Sequence, residues 1–238
     1  MESIKDELYK TLIYKDRWKM FLDGLGVTVK VTIFALLIGI AIGTLIAIIR
    51  TSYDRNFKEM HNPLYKGILF ILNFISKIYL TIVRGTPSVV QILIWFLVIL
   101  QSSNNKVLVA CIAFGTNSGA YVAEIIRSGI MSVDEGQTEA GRSLGMNYVQ
   151  TMTLIVIPQA IKNVLPALGN ELIVLLKETA IAGYVALQDL TKVSDIVRSR
   201  TYSAAGPLFV AAALYLIMVL ILEFLLGRLE RRLRKNER

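Results

Sequence analysis

Long uncharged apolar runs are the feature that most constrains the fold of this chain of 238 residues. Residues 31–49 hold no charged side chain, and at about 1.5 Å per residue a helix over this run and its flanks spans the ~30 Å hydrocarbon core of a bilayer. Hydrophobic residues make up 54% of the chain and charged residues 18%. Because the apolar residues occur in runs rather than on alternating faces, the sequence predicts an all-α, polytopic membrane helical bundle.

Five membrane-spanning helices are predicted from the apolar runs, at residues 27–49, 84–102, 107–127, 159–185 and 207–227. Two glycines four residues apart, Gly39 and Gly43, lie in the first run and predict a face on which another helix packs closely. Residues 1–26 mix acidic, basic and aromatic side chains, which is typical either of a segment lying on the membrane surface or of a frayed terminus. Residues 228–238 are predicted to form a basic cytoplasmic tail at the lipid surface.

The run over residues 64–100 is ambiguous, since it is too long for one span and too short for two spans with a turn. Lys77 and Arg84 interrupt its first half, and Pro87 lacks the backbone N–H that a continuous helix needs. We therefore interpret residues 64–83 as a cytoplasmic or interfacial lead-in helix, and we start the second span at Arg84.

Charge and composition argue against several functional classes. The formal net charge is +8, but the basic residues cluster at the ends of apolar runs, as expected for contact with anionic lipid rather than nucleic acid. With one histidine, His61, and one cysteine, Cys111, the chain has no multi-histidine metal site and no internal disulfide. The sequence contains no Gly-x-x-x-x-Gly-Lys-Ser/Thr phosphate-binding loop and no convergent acid–base set, so we expect neither an enzyme nor a cofactor bound by this chain.

Residues 139–158, named here the loop segment, form the least membrane-like long stretch of the chain. A short helix is predicted from Thr138, as its N-cap, to Leu144, and Gly145 is well placed to end that helix in the left-handed conformation. A second helical piece over residues 147–154 leads to Pro158, which stiffens the entry to the next span. Such a helix–corner–helix element would transmit a push from a partner protein, although an ordinary ordered loop fits the same pattern.

The fourth predicted span is too polar for a helix that only faces lipid. Glu171 and Glu178 lie seven residues apart, which on a helix places both carboxylates on one face, about 10 Å apart along the axis. With Asn170 beside them and Asn117 facing them from the third span, they would line a wet pathway that accepts a cationic group. The alternative is a structural ion pair between one glutamate and a neighbouring lysine.

The loop segment resembles the EAA loop of ABC importer permeases. The match consists of Glu139-Ala140-Gly141, three residues, Gly145, nine residues and then Ile155-x-Ile157-Pro158. The usual second alanine of that loop is Gly141 here, and the usual leucine is Ile157. The likeness runs from residue 25 to residue 234 and points to the membrane subunit of polar amino acid uptake systems; it includes Arg84-Gly85-Thr86-Pro87, Asn117-Ser118-Gly119-Ala120-Tyr121 and Lys177-Glu178-Thr179.

The resemblance implies a short cytoplasmic coupling helix that docks in a groove of an ATP-binding subunit, which itself binds ATP and Mg²⁺. Further implied partners are a second permease subunit, identical or homologous, an extracytoplasmic binding protein and an amino acid substrate. The chain would lie in the plasma (inner) membrane with its N-terminus outside and its C-terminus in the cytoplasm. The residues predicted for coupling are Glu139, Ala140, Gly141, Arg142, Leu144, Gly145 and Met146, and those predicted for the substrate pathway are Glu178, Glu171, Asn170, Asn117, Gln91, Arg84 and Thr86.

Alternatives stay open for single residues and for the whole chain. Arg84 either binds headgroups or helix carbonyls or gates the pathway, and Gln91 bonds either another helix or the ligand. At Glu178 the resembling family more often has aspartate, so the accepted amino acid is open. The second interpretation of the chain is an ion-coupled secondary carrier in which Glu171 and Glu178 are the coupling groups.

Overall fold

The computed structural model describes residues 4–57 and 60–235, which are almost entirely helical. No strand is present in these two ranges, and the prediction of an all-α fold is confirmed. Their α-helices are α1 (Ile4–Leu8), α2 (Arg17–Asn56), α3 (Pro63–Gly85), α4 (Ser88–Ile94), α5 (Lys106–Met131), α6 (Glu135–Ser143), α7 (Tyr148–Thr151), α8 (Ile157–Glu178), α9 (Leu190–Thr201) and α10 (Ala205–Lys235). Short π-helical or 3₁₀ segments extend several of them, at Tyr9–Ile13, Tyr14–Asp16, Trp95–Ile99, Met152–Val156 and Thr179–Val185.

Five helical segments of the described chain are long and apolar enough to cross a membrane, as the sequence predicted. They are Lys5–Arg55, Pro63–Gly85, Lys106–Met131, Tyr148–Val185 and Ala205–Leu233. A helix satisfies its own backbone N–H and C=O groups in hydrocarbon, which is why helices form over these runs.

The second of these segments is not at the predicted residues 84–102. α3 runs unbroken over Pro63–Gly85, whereas the predicted span holds α4 and the π-helical turn at Trp95–Ile99. A helix begins early because the Asn62 side chain accepts a hydrogen bond from the backbone of the first turn and Pro63 is pre-set for that turn. Lys77 does not interrupt α3, since its side chain is exposed and a lysine can extend along the helix toward a polar surface. The predicted lead-in helix is therefore a full-length apolar helix.

The polar parts of the chain are more helical than predicted. α2 starts at Arg17 and takes in the end of the predicted N-terminal segment 1–26, of which residues 1–3 lie outside the described ones. α10 continues to Lys235 through the predicted tail 228–238, of which residues 236–238 also lie outside. The stretch between the fourth and fifth predicted spans contains α9, because Asp189 supplies an N-cap.

Contacts divide the chain into two units. The first unit comprises Met1–Leu36, Ser88–Gly115 and Leu172–Leu225, and the second unit comprises Leu37–Pro87, Thr116–Glu171 and Leu226–Arg238. An apolar core in the first unit consists of Phe21, Leu190, Val193, Val197 and Ala211. A core cluster in the second unit consists of Ile46, Leu80, Val83, Ala120 and Ala123.

A buried carboxylate, Asp189, joins α9 to α10 in the first unit. It caps α9 by accepting hydrogen bonds from the backbone N–H groups of Thr191 (3.1 Å) and Lys192 (2.9 Å). The hydroxyl of Tyr215 on α10 lies 3.4 Å from it, and Thr28 of α2 accepts the first N–H of α9 at 3.1 Å. Burial raises the pKa of Asp189, and the hydrogen bonds to its charged form oppose that rise.

Close contact between α2 and α5 organises the second unit. A Cβ built on Gly39 would lie 3.1 Å from Ser118 Oγ, and one on Gly43 would lie 2.6 Å from Val122 Cγ1. The prediction of a glycine face on the first span is therefore confirmed. Without these side chains the two helix backbones approach closely enough for extensive van der Waals contact, which is the main attraction between helices in lipid.

We expect Gly43→Ala to destabilise the chain. The new Cβ would meet Val122 Cβ at 2.7 Å and the backbone nitrogen of Ala123 at 2.8 Å, so the helices must separate. Overpacking of this kind lowers the free energy of unfolding by about 1–3 kcal/mol. The better helix propensity of alanine offsets about 1 kcal/mol of that loss. Thermal unfolding in detergent is measurable with a thiol-reactive fluorophore, because the single cysteine, Cys111, is 5% exposed.

The matched control is Gly26→Ala, since a Cβ on Gly26 would meet no other part of the described chain within 4 Å. This variant should melt at or slightly above the temperature of the parent protein. Equal melting temperatures for the two variants would contradict a close α2–α5 contact at Gly43.

Candidate functional site

The first helix of the loop segment, α6, begins earlier than predicted. Asp134, not Thr138, is its N-cap, and the Asp134 carboxylate accepts the Gly136 N–H at 2.7 Å. Aspartate caps helices at least as well as threonine, and Glu135 in the first turn adds a favourable interaction with the helix dipole. Thr138 consequently lies inside α6.

Gly145 ends α6 in the left-handed conformation, with φ of 81°, as predicted. The Met146 N–H donates to the Gly141 carbonyl at 3.2 Å, and the Gly145 N–H donates to the Arg142 carbonyl at 2.9 Å. These two bonds constitute a Schellman motif, which satisfies carbonyls left over at the helix end. The direction in which the chain leaves α6 is therefore set by backbone geometry.

The second helix of the loop segment is fixed just as firmly at its start. Asn147 accepts the Gln150 N–H at 2.9 Å, while the Gln150 side chain accepts the Asn147 N–H at 2.9 Å, a reciprocal capping box. α7 continues through the π-helical turn at Met152–Val156 into α8. The corner between α6 and α8 thus has a structural motif on each side, as expected of a stiff connector.

α6 presents one face to the protein and another to solvent. Gly141 is buried, and a Cβ on it would lie 2.9 Å from Ile155 Cδ1 and 3.0 Å from Thr151 Cγ2. A Cβ at this position would therefore require these side chains to shift. Leu144 is 82% exposed and Met146 is half-buried; the other predicted coupling residues, Glu139, Ala140, Arg142 and Gly145, are exposed.

Glu171 lies at a polar contact between α8 and α5 in the second unit. Its side chain is buried, and it accepts a hydrogen bond from Ser118 Oγ at 2.7 Å. Asn117, next to Ser118, is also buried, whereas Asn170 is exposed. Ser118 of the third span and Glu171 of the fourth span are therefore in direct contact.

The remaining predicted pathway residues occupy different positions. Glu178 is the last residue of α8 and Gln91 lies in α4; both belong to the first unit and are half-buried. Thr86 donates its hydroxyl to the Ile82 carbonyl at 2.8 Å, a local contact at the end of α3. A pathway role for these residues stays a prediction.

A chain of charges runs through the second unit from α3 to α2. Arg127 lies 3.3 Å from Glu124 and 3.4 Å from Asp54. Arg84 lies 3.8 Å from Glu124, with its guanidinium 6.0 Å from the centre of the Tyr121 ring. Arg84 thus has a partner that sequence reasoning missed, because the two residues are forty positions apart.

The family described as the binding-protein-dependent transport system inner membrane component matches residues 64–235. This chain belongs to that family. Over 219 residues it is 35% identical to the arginine transport system permease protein ArtQ of Bacillus subtilis, covering 91% of this chain and 93% of that protein. In an alignment also of 219 residues it is 29% identical to the glutamine transport system permease protein GlnP of Escherichia coli, covering 90% of this chain and 93% of that protein.

Solved structures agree with the family membership. A chain from a crystal structure titled an amino acid ABC transporter with histidines is 40% identical to this permease, with a TM-score of 0.79 over 90% of this chain and 94% of that one. A chain of the MetNI methionine ABC transporter is 18% identical, with a TM-score of 0.74 over 91% and 97%, and therefore supports the fold alone. These comparisons give no support to the alternative of an ion-coupled carrier.

One residue of the permease that the sequence did not single out lies beside α6. Arg55 lines a cavity of about 270 Å³ in the second unit. The other lining residues are Asp54, Met131, Glu135, Thr138, Glu139, Arg142 and Tyr148. The signal available in the sequence was a charged pair at the end of the first span, but charges at span ends are common and carry no information about a contact with α6.

Proposed function

We propose that this permease is the membrane subunit of an ATP-driven uptake system for a polar amino acid. The family membership carries this proposal, and the similarity to the arginine and glutamine transport permeases supports the substrate class. Buried polar residues at membrane depth, Glu171 and Asn117, fit a pathway for a polar molecule, because such residues are costly in lipid unless they face a partner or water.

Coupling to ATP is proposed to occur at α6. The exposed face of this helix, with Leu144 at its C-terminal end, is the surface for an ATP-binding subunit, which carries ATP and Mg²⁺. Closure of two such subunits would push α6, and the corner at Gly145 would pass that push to α8 rather than bend. A second permease subunit completes the pathway, and a binding protein delivers the amino acid from outside.

The orientation proposed for the chain follows from this assignment. The loop segment must be cytoplasmic to reach ATP, so with five spans the N-terminus lies outside and the C-terminus in the cytoplasm. The arginines of the last helix, Arg228, Arg231 and Arg232, then lie on the cytoplasmic side, in agreement with the positive-inside rule.

The proposal is tested by uptake in proteoliposomes made from the complex that co-purifies with the tagged permease. A panel of the twenty amino acids is assayed with ATP inside, with a non-hydrolysable analogue, and with an ionophore. We expect uptake of one or a few polar amino acids that requires hydrolysable ATP and persists with the ionophore. Uptake that the ionophore abolishes and ATP does not drive would contradict the proposal.

We expect Gly145→Val to separate ATP hydrolysis from uptake. A Cβ on Gly145 would meet no other described part of the chain within 4 Å, so only the backbone conformation is affected. A left-handed conformation costs an L-residue about 1–2 kcal/mol, and a β-branched residue adopts it least readily. The corner should change direction, so that uptake per ATP hydrolysed falls while the helices stay folded.

Asparagine tolerates the left-handed conformation, and Gly145→Asn is therefore the matched control. It should retain the parent ratio of uptake to hydrolysis. If the valine variant also transports normally, the corner at Gly145 is not needed for coupling.

We expect Glu171→Gln to weaken uptake of a cationic amino acid more than uptake of a neutral one. The amide oxygen still accepts the bond from Ser118, so the substitution removes the charge and keeps the contact. Loss of a charged partner should raise the KM for arginine by about tenfold or more relative to that for glutamine. Ser118→Ala, which removes the hydroxyl and keeps the charge, is the control. Equal losses for both amino acids would indicate a purely structural carboxylate.

A further inference from the structure

The last turn of α2 carries two neighbouring charged residues that contact other elements of the second unit. Asp54 forms an ion pair with Arg127 of α5 at 3.4 Å. Arg55 lines the 270 Å³ cavity, and its guanidinium contacts Ile130, Thr138 and Met152. α2 forms the first membrane span. A motion of α6 would therefore reach that span at this last turn of α2.

One side of the Arg55 guanidinium holds the end of α5. Its Nη2 donates to the Ile130 carbonyl at 3.2 Å. Ile130 is the next-to-last residue of α5, where carbonyls have no partner within their own helix. A positive charge is also favourable at a helix C-terminus. This contact therefore stabilises the end of α5 both by the hydrogen bond and by the interaction of the charge with the helix dipole.

The other side of the guanidinium contacts α6 and the helix that follows it. Nη1 lies 3.4 Å from Thr138 Oγ1, in the middle of α6, and 3.8 Å from Met152 Sδ. Met152 is buried in a small core with Ile130, Val133, Val156 and Ala160. Arg55 therefore connects the first span to residues 75 to 97 positions away in sequence.

We propose that Arg55 is a positioning residue that carries displacement of α6 to the first span. This inference rests on the proposed function, in which an ATP-binding subunit moves α6. The covalent chain leads from α6 to α5 on one side and to α8 on the other. The Arg55 contacts add α2, and the Asp54–Arg127 pair joins the same turn of α2 to α5.

Arginine suits this role better than lysine. Its planar guanidinium presents five N–H donors in a fixed fork, which can serve a carbonyl, a hydroxyl and a sulfur at the same time. A lysine ammonium is a point charge on a flexible stem and would hold one of these partners with less geometric definition.

The test uses the intact complex in proteoliposomes. Uptake is measured for those amino acids that the panel of twenty identifies as substrates, and ATP hydrolysis is measured in parallel. Arg55→Met keeps the length of the side chain and its contact with Met152 but removes the donors. We expect uptake per ATP hydrolysed to fall by about threefold to tenfold, with Arg55→Lys in between. Thermal unfolding of each variant is followed through Cys111 labelling.

Arg50→Met is the matched control, because Arg50 lies on the same helix and donates to Asn73 of α3 at 2.9 Å rather than to α6. It should lower thermal stability without changing the ratio of uptake to hydrolysis. Thr138→Val tests the contact itself. The Arg55→Met/Thr138→Val double variant should have the same ratio of uptake to hydrolysis as Arg55→Met alone, since each single change removes the same Arg55–Thr138 interaction.

A parent-like ratio in Arg55→Met, a ratio change equal to that of Arg50→Met, or additive effects of the Arg55 and Thr138 changes would each overturn the inference. The proposed function fails in a different way. If Gly145→Val leaves the ratio unchanged, coupling through α6 is wrong; if Gly145→Val lowers the ratio and Arg55→Met does not, coupling through α6 stands and Arg55 has no part in it.

Discussion

The requirement that every backbone polar group in hydrocarbon be hydrogen-bonded within the protein governs this structure. It makes the apolar runs helical, and within hydrocarbon it permits a helix to end only where another group satisfies the freed backbone groups. Asn62 and Pro63 start α3, and in α6, the helix proposed to be cytoplasmic, Asp134 starts the helix and the backbone bonds at Gly145 end it. The positions of the ends are therefore a matter of local side-chain chemistry.

Association of these helices depends on a second set of contacts, because lipid is as apolar as the helix surfaces. Close approach at Gly39 and Gly43, the Ser118–Glu171 hydrogen bond and the Arg127 ion pairs supply specific attraction within the second unit. Polar groups that hold helices together are the same kind of group that a polar substrate needs. A residue such as Glu171 is thus under two demands, and loss of its charge need not disturb its packing.

A structural feature could be predicted from the sequence when it depends on one residue and its near neighbours in the chain. Gly145 and the Gly39–Gly43 face were predictable, since a positive φ and a close helix contact each depend on the residue itself. The second span was misplaced because 64–100 holds two apolar stretches, and Lys77 looked like an interruption although it lies exposed on α3. The contacts Arg84–Glu124 and Arg55–Thr138 join residues far apart in sequence, and no periodicity records them.

The two faces of α6 contact the membrane spans in different ways. On the inner face, Gly141 lets the helix lie against Thr151 and Ile155 so closely that α6 and the start of the fourth span share one packed surface. On the side of the first span, the contact is a single guanidinium, longer and easier to break. A push on α6 would therefore reach the fourth span through packing, which yields little, and the first span through hydrogen bonds, which exchange with water. This difference argues that the two spans respond to one partner with unequal coupling, the fourth span strongly and the first span weakly.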